Sequence, residues 1–104
     1  MAQHEKYDIP RQFDLMGVTW TVVFDNKKLS EADAAGLCEF NMSTITIGTK
    51  NEYGKHSADQ IKTSFYHELT HAILDTLHER KLSANERLVE GIGALLWQFT
   101  KTSK

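Results

Sequence analysis

The residues with the most chemistry within one short span are His67-Glu68-Leu69-Thr70-His71. Residues four apart on a helix stand one turn above each other, so His67 and His71 project from one face and can both reach one Zn²⁺. Glu68, one position round, stands beside such an ion rather than on it. There a carboxylate can take a proton from a metal-activated water and pass it to a leaving group, the general-base role in a metal-dependent hydrolase. With five His and eight Glu in the chain, chance alone would produce this pattern in roughly one sequence in fifty of this length. Context therefore has to carry part of the assignment. The competing use of the same residues is two surface histidines and a solvated carboxylate on an amphipathic helix.

A catalytic zinc wants three protein ligands and one open position for water. The astacin-like and matrixin-like continuation, His-Glu-x-x-His-x-x-Gly-x-x-His, does not hold, because Leu74 and Leu77 stand where its glycine and third histidine would be. His78 lies roughly 10 Å beyond His71 along the helix axis, too far to share the ion, and is a cleft or surface residue. Cys38, the only cysteine, invites comparison with peptide deformylases, which pair this helix motif with a thiolate. The glycine-rich and Glu-Gly-Cys segments of that family are absent, which favours a buried structural Cys38. Two carboxylates are left, in Asn85-Glu86-Arg87-Leu88-Val89-Glu90. Spaced four apart, both can face the central helix. Glu86 is the third residue of a possible capping box, and if its carboxylate is engaged there, Glu90 is the ligand.

This second segment resembles the gluzincin class of zinc metallopeptidases, whose Asn-Glu-x-x-Ser-Asp motif lies on a helix downstream of His-Glu-x-x-His. Asn85-Glu86 matches it directly, Val89 replaces the serine and Glu90 stands for the aspartate. The resemblance implies Glu86 as third ligand and Glu90 as an acceptor for the free ring N–H of a ligand histidine, in the first place His67. The order of elements over residues 37–99 is similar to the small zincin-like domains encoded by phages and prophages, kin to the ImmA/IrrE-type peptidases. It implies a zinc metallopeptidase that acts on a protein or peptide, with Glu68 as general base. It also implies that residues 44–48, the strand before the motif helix, form the sheet edge along which an extended peptide lies; an ordinary core strand is the other reading of that segment. Gluzincins draw an oxyanion stabiliser from Tyr, His or Arg, and no spacing rule selects among Tyr53, His56, Tyr66 and His78 here. A different class of function keeps the metal and drops catalysis: a zinc-stabilised protein-binding module, since so short a chain has little with which to build the second wall of a peptide cleft.

The elements that must position these residues follow from periodicity. The chain has 104 residues, 40% hydrophobic and 25% charged, which fits a single domain spanning 1–104. A formal net charge of −2 provides no basic field for nucleic acid or an acidic membrane surface, and no apolar run approaches the roughly 18–20 residues of a membrane span. Residues 1–6 lack the apolar core of a secretion signal, so the expected location is cytoplasmic, or the host cytoplasm for a phage-encoded protein. Residues 1–10 are polar and aperiodic, an arm that docks or frays as a flexible segment. Val18, Trp20, Val22 and Phe24 alternate as a strand, and the phase flip at Met16-Gly17 marks either a hairpin or a bend. Asp25 to Lys28 follow as a polar turn, and Ser30 could cap a short helical turn. Residues 37–40 and 44–49 suggest a second hairpin, followed by a polar connector over residues 50–56.

Ser57-Ala58-Asp59-Gln60 has the capping-box form, and opens a helix over residues 58–79 with Ile61, Phe65, Leu69, Ala72, Ile73 and Leu77 as its apolar stripe. Ser83-Ala84-Asn85-Glu86 has the same form before a last helix reaching about Phe99, with Leu88, Val89, Ile92, Leu95, Leu96 and Phe99 expected to be buried. Gly91 and Gly93 sit inside it at up to about 1 kcal/mol each relative to alanine, which close helix packing would offset. The expected class is α+β, zincin-like: a small antiparallel or mixed sheet packed on the central motif helix and a Glu-bearing C-terminal helix. Oligomeric state is left open.

Overall fold

The structure is a computed structural model that describes residues 3–104. Met16 and Gly17 both adopt left-handed backbone, φ 48° and 83°, as a two-residue type I′ turn requires. They join β1 (Gln12–Leu15) to β2 (Val18–Phe24) as an antiparallel pair with Leu15 opposite Val18. The phase flip is therefore a hairpin. The expected polar turn after β2 is instead the start of α2 (Asn26–Ala32): Asp25 accepts a hydrogen bond from Lys28 N at 3.0 Å, and Asp33, at φ 51°, closes the helix. The cap belongs to Asp25 rather than Ser30 because its carboxylate reaches the free N–H three residues on.

Strand β3 (Gly36–Glu39) turns through a 3-10 segment, Phe40–Met42, into β4 (Thr44–Ile47), and the two pair antiparallel with Cys38 opposite Ile45. The other side of β4 runs parallel to β2, Val22 opposite Ile45, giving a mixed sheet in the order β1-β2-β4-β3. This corrects the expectation for residues 44–48: β4 is an interior strand and β3 is the edge. Ile45, Thr46 and Ile47 are all fully buried, the pattern of a strand covered on both faces rather than a half-exposed edge. The polar connector folds into a small hairpin of β5 (Lys50–Asn51) and β6 (Gly54–Lys55).

Helix α3 (Ala58–Thr76) opens on the capping box, Ser57 Oγ accepting from Gln60 N at 3.1 Å and Gln60 Oε1 from Ser57 N at 2.7 Å. It stops short of Glu79 because His78 takes left-handed backbone at φ 61°, so that Glu79 N–H donates to Leu74 O at 2.9 Å, a closure that ends helices. Leu77, expected in the apolar stripe, is exposed just past that end. Ile61, Phe65 and Ala72 of α3 pack on Trp20, Val22, Ile45 and Ile47 of the sheet, each large side chain contributing about 1.5–3 kcal/mol on burial. The N-terminal stretch docks on this core. Helix α1 (Gln3–Tyr7) places the His4 ring against Val22 O at 2.7 Å, Ile9 is buried, and Lys62 Nζ donates to Asp8 O at 2.8 Å.

A short α4 (Arg80–Ser83) leads to α5 (Glu86–Thr102), capped by Asn85, whose side chain accepts from Leu88 N at 3.1 Å. Helix α5 lies on α3 through Val89 and Gly93, with Trp97 stacked on Tyr66 at a ring separation of 5.8 Å. Leu88, Leu95 and Phe99, expected to be buried, are exposed, because the helix turns the face of Val89, Gly93 and Trp97 toward α3. No helix among the described residues is long and apolar enough to cross a membrane.

Candidate metal centre

Helix α3 presents His67 and His71 one turn apart with their rings 5.1 Å from centroid to centroid. Glu86, in the first turn of α5, meets both: its Oε2 lies 3.0 Å from His67 Nε2 and its Oε1 3.1 Å from His71 Nε2. Ligand atoms of the three residues lie within 4.8 Å of one another, a group that could hold a metal ion. Two imidazole nitrogens and a carboxylate are a donor set that divalent transition-metal ions accept. The rival use of Glu86, in a capping box, does not occur. Asn85 caps α5, which leaves the Glu86 carboxylate to the histidines.

Ser83, which the sequence suggested as that cap, serves the site directly. It is buried in α4, and its Oγ lies 3.0 Å from His71 Nδ1. When His71 offers the Nε2 lone pair to a metal, Nδ1 carries the proton and donates it to Ser83 Oγ, which fixes the ring's tautomer and orientation. Glu90, expected as acceptor for His67 or as alternative ligand, lines the same cleft one turn along α5 but makes no hydrogen bond among the described residues. The three-residue group contains Glu86 and not Glu90.

Glu68 sits beside the group, only 7% exposed, in the wall of a cleft of about 550 Å³ that Gly36 and Cys38 of β3 also line. Its seat is shaped by Gly36: a Cβ there would come within 3.0 Å of Glu68 Oε2 and 3.1 Å of its Cγ. Burial first, and then the negative charge of Glu86, push the Glu68 carboxyl up to about 7. The Cys38 thiol is pushed up to about 12, chiefly by burial and further by Glu68, Asp75 and Glu39. A thiol held protonated in this way is a poor ligand, and Cys38 lies outside the three-residue group.

The sequence candidates for an oxyanion stabiliser fare differently. Tyr53 is exposed in the β5–β6 hairpin, Tyr66 stacks on Trp97, His56 lines a separate cavity between that hairpin and α2, and His78 is exposed beyond the end of α3. None of the four lines the cleft. What sequence reasoning missed are Ser83 and Gly36, whose roles arise only when distant elements meet. Gly93 belongs with them: a Cβ on it would lie 3.0 Å from His67 N and 3.1 Å from His67 Cα. Packing was the expected reason for that glycine, and the atoms it packs on are those of a candidate ligand's own backbone.

Among known proteins, no family model matches this chain, no curated protein matches it, and no solved structure matches it.

Proposed function

We propose that this chain is a zinc metallopeptidase of the gluzincin type, hydrolysing peptide bonds in a protein or peptide. The observation that carries the reading is the convergence of His67 Nε2, His71 Nε2 and the Glu86 carboxylate at one point of a cleft with Glu68 beside them. His67, His71 and Glu86 would hold the zinc, which when bound makes water acidic enough to deprotonate near neutral pH and polarises a carbonyl. Glu68 takes the proton from the attacking water and returns it to the leaving amine, the role open to a carboxylate that stands beside the ligands and not among them. Ser83 keeps the His71 ring aimed.

The edge of β3 supports a peptide substrate. It borders the cleft at Gly36, Leu37 and Cys38, and only its β4 side is paired within the sheet. An extended peptide can add to it by backbone hydrogen bonds. Past Ala35 the second cavity, about 640 Å³, opens between α2 and the β5–β6 hairpin and has room for a side chain. This shared border supplies the cleft wall that so short a chain seemed to lack. The resemblance of Asn85-Glu86 to the gluzincin motif agrees with this reading, as does an α+β fold built on the motif helix.

One observation favours a second reading, a zinc-stabilised protein-binding module: none of Tyr53, His56, Tyr66 and His78 lines the cleft, so none is placed to stabilise an oxyanion. Glu68→Gln separates the two. A peptidase keeps about one zinc per chain and loses hydrolysis of a peptide library by at least about 100-fold. A wild-type protein that holds zinc and cleaves no peptide would overturn the peptidase reading in favour of the module.

A further inference from the structure

Two carboxylates in the metal cleft have no task in the hydrolytic reading. Asp75 follows His71 by one turn of α3, on the face it shares with His67, and Glu90 follows Glu86 by one turn of α5. Both line the cleft, Asp75 half-buried and Glu90 exposed, and neither enters an ion pair among the described residues. No Lys or Arg lines the cleft. Helix α5 runs antiparallel to α3: Gly93 packs on the backbone of His67, Trp97 stacks on Tyr66, and Lys101 lies 4.0 Å from Asp59. A turn beyond Glu86 therefore leads toward the start of α3, while a turn beyond His71 leads toward its end. The two free carboxylates stand to either side of the candidate ligands, each about 6 Å along its helix from the nearest of them. Between them Glu68, only 7% exposed, lines the same cleft without a hydrogen-bond partner among the described residues. A polar group buried so deeply without a partner points to a cleft completed by what it binds.

We propose that Asp75 and Glu90 set the specificity of this cleft, selecting peptides that carry a lysine or arginine about two residues from the scissile bond. This specificity rests on the peptidase reading for the bond that is cleaved, and on the cleft's own charges for the side chain that is chosen. A bound dication offsets Glu86 and an ionised Glu68. Asp75 and Glu90 then remain as uncompensated negative charge in a concave site, whose low-dielectric walls focus the field. The spacing agrees. An extended peptide along the β3 edge advances about 3.3 Å per residue, so 6 Å corresponds to about two residues. A basic side chain there reaches a carboxylate that nothing else in the chain neutralises, while an acidic one meets repulsion on either side.

Binding and cleavage of labelled peptides test this separately. The peptides differ only in having Arg, Gln or Glu at the second residue on each side of the central bond, and both ends are capped because a free terminal amine carries the same charge as lysine. Fluorescence anisotropy with Glu68→Gln protein, loaded with zinc and metal-free, reads binding without turnover. Arg peptides should bind at least about tenfold more tightly than Gln peptides, with Glu peptides weakest and the preference shrinking as salt is raised. Asp75→Asn and Glu90→Gln, added singly, should each reduce the preference about three- to fivefold and together abolish it. Glu31→Gln, exposed on α2 outside the cleft, should leave it unchanged. Equal binding of the three peptides, or a preference that persists in a folded double variant or is undiminished in both single variants, would overturn the proposal. Cleavage by the wild type without charge preference would overturn it too, and leave the peptidase reading standing. Arg peptides held through Asp75 and Glu90 but never cleaved by the wild type would support the recognition and overturn the peptidase reading instead.

Discussion

Two elements press on α3, and each does so through a glycine. On one side α5 lays Gly93 against the backbone of His67; on the other the edge strand β3 lays Gly36 against the carboxylate of Glu68. The contacts differ in what they can absorb. Backbone meets backbone at α5, so the distance between helices sets where Glu86 stands relative to His67 and His71. At β3 the neighbour is the end of a side chain, which can swing. The α5 contact therefore holds the metal-binding geometry, while the β3 contact tunes one proton-carrying group and leaves the ligands alone.

The largest effect expected concerns the charge that β3 helps to bury. In the metal-free protein Glu68 keeps its proton to about 7 against an ordinary 4.5. Between those values the unfolded chain has released a proton that the folded chain still holds, so stability falls as pH rises and levels off above about 7. The full loss is on the order of 3 kcal/mol, measurable by denaturant titration of metal-free protein across that window. Glu68→Gln should flatten the slope. An equal slope in the variant would show that β3 and its neighbours do not bury that charge.

Gly93→Ala comes next. With nothing but backbone to yield, the helices must separate, at about 1–3 kcal/mol of stability, and zinc affinity should fall at least about tenfold because Glu86 leaves the histidines. Thermal unfolding and calorimetric zinc titration check both; unchanged zinc affinity would mean that the crossing does not set the ligand geometry. Gly36→Ala should cost less than about 1 kcal/mol and leave zinc affinity in place, while lowering peptide hydrolysis by about 10–100-fold as Glu68 is displaced. If zinc were lost as well, the contrast between the two sides would fail. The smallest effect has the opposite sign: Gly91→Ala, on the same helix but against open space, should stabilise the fold by up to about 1 kcal/mol in thermal or denaturant unfolding.

Most of what could be recognised from the sequence was local. His67, Glu68 and His71 are tied by helical spacing, and the Ser57-Gln60 box marks the start of their helix, so both follow from a few adjacent residues. Glu86 came from the likeness of Asn85-Glu86 to a known motif, with Glu90 held open; the fold gives the cap of α5 to Asn85 and brings Glu86, not Glu90, into one group with the two histidines. What escaped the sequence depends on non-local assembly. The parallel pairing of β2 with β4 makes β4 interior and β3 the edge, and nothing in Thr44-Ile45-Thr46-Ile47 encodes its neighbours. The apolar residues of α5 announce an amphipathic helix without saying which face meets α3, and the face chosen is the one with Val89 and Gly93. Ser83 sits four residues ahead of Arg87 in a stretch that resembles a helix start, and its bond to His71 exists only because α4 folds back onto α3. Asp25 was hidden by its position directly after a strand, where a polar run resembles a turn.

The central claim is that His67, His71 and Glu86 form one metal centre. Its most direct test is the structure of the zinc-loaded protein together with its metal content. The expected result is about one zinc per chain, bound by His67 Nε2, His71 Nε2 and a Glu86 oxygen with one position open to solvent. Protein purified without chelators that carries no stoichiometric metal, or zinc bound by Glu90 in place of Glu86, would contradict it.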